Sequence, residues 1–165
     1  MDALFINRYY PSQKLFEAFY KKTSQKYSRI IGIAGLAVLA VGLFTLAWSG
    51  GADLFFLLMG IVGAALCLAL IFFHKIMARS AMNRTLKLHG GKVFQTTVSF
   101  AERIVLEEGE ETLTLDYSDI VDVVDCETVL ALMFGKANGV IVKKDGFFKG
   151  DLKSFSAFLS KKLEG

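Results

Sequence analysis

Two long runs without a charged side chain, Ile30–Trp48 and Leu54–Phe73, stand out in a chain otherwise patterned on a scale of a few residues. Each is close to the ~20 residues that a helix needs to cross ~30 Å of hydrocarbon, so the pattern predicts two transmembrane helices. The connector Ser49-Gly50-Gly51-Ala52-Asp53 has room only for a turn, which makes the two spans antiparallel neighbours in a hairpin over 30–73. Small residues recur in both: Gly32, Gly35 and Gly42 in the first, and Gly60, Gly63, Ala64, Ala65 and Ala69 in the second. The spacings Gly60-x-x-x-Ala64 and Ala65-x-x-x-Ala69 allow helix backbones to approach closely, either within the hairpin or between copies in a homo-oligomer.

The flanks are polar and basic. Residues 1–29 form a basic N-terminal segment in which a helix is expected after Pro11, from Ser12 to Lys26. Leu15, Phe16 and Phe19 fall on one side of it, with Lys14, Lys21 and Lys22 over the rest. Such a helix can lie in the headgroup region or pack on a soluble domain. Residues 74–91 keep helical composition, with Ile76, Met77, Ala78 and Met82 among basic residues, until His89-Gly90-Gly91 stops them.

From about residue 92 the period changes from helical to two. Phe94, Thr96, Val98 and Phe100 alternate with their neighbours, as do Ile104 and Leu106, then Leu113 and Leu115. This is the pattern of half-buried strands, with Glu108-Gly109-Glu110 as a hairpin turn. Ile120–Cys126, Thr128–Phe134 and Gly139–Lys143 read as three further strands, the last two joined by a loop over 135–139. A helix begins after Asp151, a suitable N-cap. Its stripe is Leu152, Phe155, Phe158, Leu159 and Leu163. Six strands and one helix make 92–165 a small α+β domain.

Charge sets the expected orientation. Arg8, Lys14, Lys21, Lys22, Lys26 and Arg29 precede the first span, and Lys75, Arg79, Arg84, Lys87 and Lys92 follow the second, whereas the connector holds only Asp53. The positive-inside rule then places both termini in the cytoplasm, with Trp48 as an interfacial anchor on the outer side. A cleaved signal peptide would need an n-region of about thirty residues and cleavage beside the bulky Trp48. Composition agrees: 53% of the 165 residues are hydrophobic, above the usual ~45–50%. The net charge of +3 comes from the juxtamembrane segments, not from a surface for nucleic acid.

Candidate chemistry is sparse. His74 and His89 have no partner at ligand spacing, and neither Cys67 nor Cys126 sits in a nucleophile arrangement or offers a credible disulfide. No phosphate- or dinucleotide-binding glycine pattern is present, and no cofactor, metal or catalytic residue is expected. The spans carry no Asp, Glu, Lys, Arg or His, which disfavours a transport pathway. One cluster remains: Lys143, Lys144 and Lys149 around Phe147 and Phe148. It is expected either to contact the anionic leaflet of the lipid bilayer or to be a solvated turn whose phenylalanines cap the core. The Glu107–Glu111 tip would then point away from the membrane.

The run Tyr117-Ser118-Asp119-Ile120, followed by Val123 and Val129-Leu130-Ala131-Leu132, resembles the YcxB-like family of small bacterial membrane proteins. So do Val140-Ile141-Val142-Lys143-Lys144 with Phe147 or Phe148, and the helix core of Phe155, Phe158 and Leu159. The family's proline before the basic turn is replaced here by Lys143. The resemblance implies a pleckstrin-homology-like β-roll closed by a C-terminal helix, held at the cytoplasmic membrane by two spans, and it supplies no catalytic residues. The expected function is a non-enzymatic module that recruits an unidentified protein or peptide to the inner membrane face. The alternative is a self-immunity or envelope-stress protein that protects the bilayer against antimicrobial peptides.

Overall fold

A computed structural model of the chain describes residues 3–48, 54–135 and 138–164. The connector Ser49–Asp53, the loop positions Lys136 and Ala137, and the side chains of Lys26, Tyr27, Leu46 and Phe56 lie outside the described residues. The chain is α+β and divides into two compact units, one of Met1–Lys22 with Ala78–Gly165 and one of Thr23–Met77.

The second unit consists of helix α2 (Gln25–Trp48) and the first part of helix α3 (Leu54–Leu88). Both are long and apolar enough to cross a membrane, within Ser28–Thr45 and Leu57–Leu88. Only 17% of the first stretch and 6% of the second is buried, unlike the core helix of a soluble protein. Glycines set how the helices meet. A Cβ on Gly32 would lie 2.7 Å from Leu70 Cδ1, on Gly35 3.1 Å from Leu66 Cβ, on Gly42 2.7 Å from the Gly60 nitrogen, and on Gly63 2.5 Å from the Leu39 nitrogen. The contact positions 32, 35, 39 and 42 meet 70, 66–67, 63 and 60 in reverse order, an antiparallel seam with the alternating three- and four-residue steps of coiled helices.

Ala64, Ala65 and Ala69 are exposed on α3, off this seam. Gly60 borders the partner helix through its backbone. A four-residue spacing marks a stripe of small side chains, and α3 carries two such stripes. The seam runs instead through Gly63.

Helix α3 continues beyond its apolar run to Leu88. Gly90 takes φ +62°, and the Gly91 N–H reaches back to the Leu86 carbonyl at 2.7 Å. This is a Schellman end, which glycine favours because it has no Cβ to clash in the left-handed region.

The first unit departs from the sequence reading at the N terminus. Residues 1–29, read as a separate basic segment, include strand β1 (Phe5–Tyr9) and helix α1 (Gln13–Thr23), and both are built into the same unit as the C-terminal strands. Strands β2 (Thr96–Phe100), β3 (Ile104–Glu108), β4 (Glu111–Leu115) and β8 (Phe147–Lys149) complete an antiparallel sheet of order β4-β3-β2-β1-β8. Strands β5 (Asp122–Asp125), β6 (Val129–Met133) and β7 (Gly139–Lys143) form a second sheet. Eight strands thus stand among the described residues where six were expected. The additions are β1 and the short β8 inside the presumed basic turn.

Each sheet is closed by a helix. Asp151 caps helix α4 (Leu152–Leu163), its carboxylate accepting from the Ser154 N–H at 3.0 Å and from the Ser154 hydroxyl at 2.7 Å. Phe155 and Leu159, one turn apart, are buried. The Phe155 ring meets Phe5, Phe100 and Phe147 at centroid distances of 5.6, 4.6 and 5.3 Å, so one side chain touches β1, β2 and β8. Helix α1 starts at Ser12, whose Oγ accepts from the Leu15 N–H at 3.3 Å. It buries Leu15 and Phe19 and exposes Lys14, Lys21 and Lys22. Its partner is the three-stranded sheet, since a Cβ on Gly139 would meet both Phe19 and Met133. Every residue of β6 is buried, because α1 covers one of its faces while the pleat turns the other inward.

Candidate functional site

The basic cluster divides on folding. In the turn between β7 and β8 the Gly146 N–H donates to the Lys143 carbonyl at 3.0 Å, and the Arg8 N–H donates to the Gly146 carbonyl at 2.7 Å. A Cβ at Gly146 would stand 2.7 Å from the Arg8 carbonyl, so this close approach requires glycine. Lys143 pairs with Asp145 at 3.1 Å and Lys144 with Asp125 at 2.5 Å. Lys149 donates to the Ala3 carbonyl at 2.5 Å.

The two phenylalanines separate because successive strand side chains face opposite ways. Phe147 turns inward against Phe155, whereas Phe148 is 68% exposed. The Arg8 guanidinium lies over the Phe148 ring at 4.0 Å, a cation–π arrangement. The surface therefore comprises Phe148, Arg8 and the three lysines, with Asp125 and Asp145 beside them. Arg8 is the member that sequence reasoning missed. The alternation of Phe5, Asn7 and Tyr9 with Ile6 and Arg8 was the available signal.

The opposite margin of the same sheet has the opposite charge. In the order β4-β3-β2-β1-β8 the outer strands are β4 and β8. Four strand spacings of ~4.8 Å put them roughly 19 Å apart. Glu107, Glu110 and Glu111 are exposed there, and among the described residues none of them forms an ion pair. Strand β4 is exposed along its length except at Leu115, and Leu113 is 51% exposed.

Several titratable groups inside the unit are buried. His89 Nε2 lies 3.3 Å from Glu108 Oε1, both side chains largely buried, with Phe94 against the imidazole at 5.2 Å. Burial pushes the Tyr9 phenol far above its ordinary value, with the nearby Glu108 carboxylate adding to the effect. Burial likewise pushes the Tyr117 phenol up to about 12, and its hydroxyl donates to the Ala101 carbonyl at 3.1 Å. The Cys126 thiol is raised by burial, the reverse of what an active nucleophile needs. Both cysteines are free. Among the described residues no group of three His, Cys, Asp or Glu side chains converges as a metal-ligand set.

In the second unit, Trp48 closes α2 with 85% of its surface exposed and its ring stacked on Phe44 at 6.2 Å. Comparison with protein-family models, curated proteins and solved structures finds no match.

Proposed function

We propose that the chain is a membrane-anchored binding module, in which α2 and α3 span the bacterial cytoplasmic membrane and the α+β unit recruits a protein or peptide at its inner face. The observation that carries this reading is the α2–α3 seam. Glycines turn inward against the partner helix, while Ile33, Leu36, Phe44, Leu54, Phe55 and Ile71 are all more than half exposed. Leaving so large a contiguous apolar surface in water is strongly unfavourable, and hydrocarbon removes that cost. Basic flanks on both termini favour a cytoplasmic location for the α+β unit.

Eight strands in two sheets, closed at the C terminus by α4, support a pleckstrin-homology-like reading of that unit. The polarity of its larger sheet suggests an orientation. The β8 margin, with Arg8, Lys149 and Phe148, suits the anionic leaflet, where a basic side chain contributes about 1 kcal/mol and an exposed ring can enter the interface. The acidic β4 margin would then face the cytosol.

The test is made in cells on the full chain. It should resist alkaline carbonate extraction, and Gly51→Cys should react with an impermeant maleimide from outside. A photo-crosslinking residue at Phe148 should give lipid adducts, and one at Thr114 a discrete protein adduct. Extraction by carbonate, or labelling of Gly51→Cys from inside only, would overturn the anchoring. Absence of any protein adduct from Thr114 with the anchoring intact would overturn recruitment.

A further inference from the structure

Among the described residues, strand β4 is bonded on one side only. Its partner is β3, in the register Glu108↔Glu111, Leu106↔Leu113 and Ile104↔Leu115. The loop between them is the two residues Gly109–Glu110, with Gly109 at φ +62°, and such a hairpin closes on a pair that exchanges both backbone hydrogen bonds. Pairs alternate along an antiparallel ladder, so Glu111, Leu113 and Leu115 spend their N–H and C=O groups on β3. Those of Thr112 and Thr114 point outward. Among the described residues, nothing accepts from or donates to them on that side.

An exposed edge normally carries a device against pairing, such as a proline, a bulge or a lysine. Strand β4 has the unbroken register above with no proline, bulge or lysine, and the one charged residue of its Glu-Thr-Leu-Thr-Leu run is Glu111 at its start. Leu113 and Leu115 lie on the sheet face that carries the buried Ile104, and Leu113 remains half exposed at its margin. Glu111 is on the same face, two residues from Leu113, with Glu110 beside it in the loop. The edge thus offers two outward donors, two outward acceptors, an apolar seat and a carboxylate pair in line with it.

From this arrangement we infer that β4 is a β-augmentation site for an extended basic peptide of a partner protein. The peptide places an apolar side chain beside Leu113 and, two residues along on the same face, a lysine or arginine beside Glu111. Side chains at that spacing share a face and pair across strands. Charge selects this occupant over a second copy of the chain. Antiparallel pairing of two β4 strands about Leu113 would bring Glu110 and Glu111 of each copy to Leu115 and Asp116 of the other, so no carboxylate would gain a cation. The inference rests on the reading of the unit as a binding module and names its partner's chemistry.

The probe is a peptide of about eight residues with valine and lysine alternating on one face and threonine on the other. It is added to the full chain in zwitterionic nanodiscs, where lysines do not adsorb to anionic lipid. Binding should slow amide exchange at Thr112 and Thr114 by about tenfold or more, as expected when exposed N–H groups enter a ladder. Thr114→Pro removes an outward donor, which an edge strand tolerates, and should weaken binding about tenfold. Glu111→Lys should reject the lysine peptide and accept its glutamate counterpart, a reversal that a misfolded variant cannot give.

The inference is overturned if the peptide binds without slowing exchange at these two amides, or if the charge exchange leaves its preference unchanged. Protection that rises with protein concentration alone would also overturn it, by giving the edge to a second copy. Because these measurements need only a folded unit, carbonate extraction of the chain would sink the anchoring reading while leaving them intact.

Discussion

The side-chain amide of Asn7 holds both backbone polar groups of Lys143: Nδ2 donates to the Lys143 carbonyl at 2.8 Å, and the Lys143 N–H donates to Oδ1 at 3.0 Å. Asn7 is fully buried in β1 and Lys143 ends β7, so one side chain ties the larger sheet to the smaller. Asn7→Leu would keep the volume and lose both bonds. The Lys143 carbonyl would retain the Gly146 N–H, but its own N–H would be orphaned. A loss of about 2–3 kcal/mol is expected in a urea titration of the full chain in micelles. A loss under about 0.5 kcal/mol would show that water replaces the amide.

The N-terminal strand makes the C-terminal segment dependent on the start of the chain. Residues 91–165 alone would lack β1, which lies between β2 and β8, and α1, which covers β6. That fragment is expected to be poorly dispersed in an amide NMR spectrum and rapidly proteolysed. Joining residues 1–22 through a flexible linker to 78–165 should restore a cooperative unfolding transition. Equal dispersion of the fragment and the linked protein would contradict the central position of β1.

Period-based reading recovered what periodicity encodes. The elements β2 to β4 follow from local alternation, β5 to β7 from short apolar runs, and the Gly109 turn and the Asp151 cap from turn chemistry. It missed β1 because an inward-facing asparagine and an arginine break the apolar alternation of Phe-Ile-Asn-Arg-Tyr, and only the distant Lys143 backbone explains the asparagine. It missed β8 because three residues are too few to show a period. The lysine cluster was legible as composition, but Asp125 and Arg8 reach it through pairing across the sheets. The α2–α3 seam was legible as an excess of glycine but not in register, because several small residues competed for the contact.

Phe155 joins three strands through three rings, so its removal opens a cavity that no single neighbour can fill. Phe155→Ala should cost about 3–5 kcal/mol. Phe148→Ala, on the exposed face of β8, should fall within about 0.5 kcal/mol of the parent. Denaturant midpoints in micelles would compare the two. A loss below about 1 kcal/mol at Phe155 would mean that α4 does not close the larger sheet.

Alkali should unfold the α+β unit through its buried phenols. Tyr117 is pushed up to about 12 and Tyr9 and Tyr20 are raised above the ordinary 10, with burial the first cause in each. The folded state therefore favours the neutral form. Its contribution to stability is complete below pH ~10 and declines as pH rises through the folded values. Tyrosinate absorbance and far-ultraviolet dichroism should change together in one cooperative step above pH ~10. Smooth ionisation near pH 10 with unchanged dichroism would show that these rings are accessible. Tyr117→Phe should flatten the decline while losing about 1 kcal/mol at neutral pH with the Ala101 bond.

The antiparallel seam makes its own test, because Cys67 lies opposite Gly35. A Cβ placed on Gly35 would stand 3.4 Å from Cys67 Sγ, within the range from which a disulfide can close after a small rotation. Gly35→Cys should therefore oxidise to an intramolecular bond, visible as faster migration without a dimer band. The same pair then reports on the helices. At Gly63 a Cβ would lie 2.5 Å from the Leu39 nitrogen and 2.7 Å from its Cα, so Gly63→Leu must force backbone apart and should suppress crosslinking. At Gly60 nothing lies within 4 Å of a Cβ, so Gly60→Ala should leave it unchanged, although both glycines are one turn apart on α3. Equal crosslinking in the two variants would mean that the seam does not run through Gly63. A disulfide dimer in place of the internal bond would assign these small residues to contact between copies of the chain.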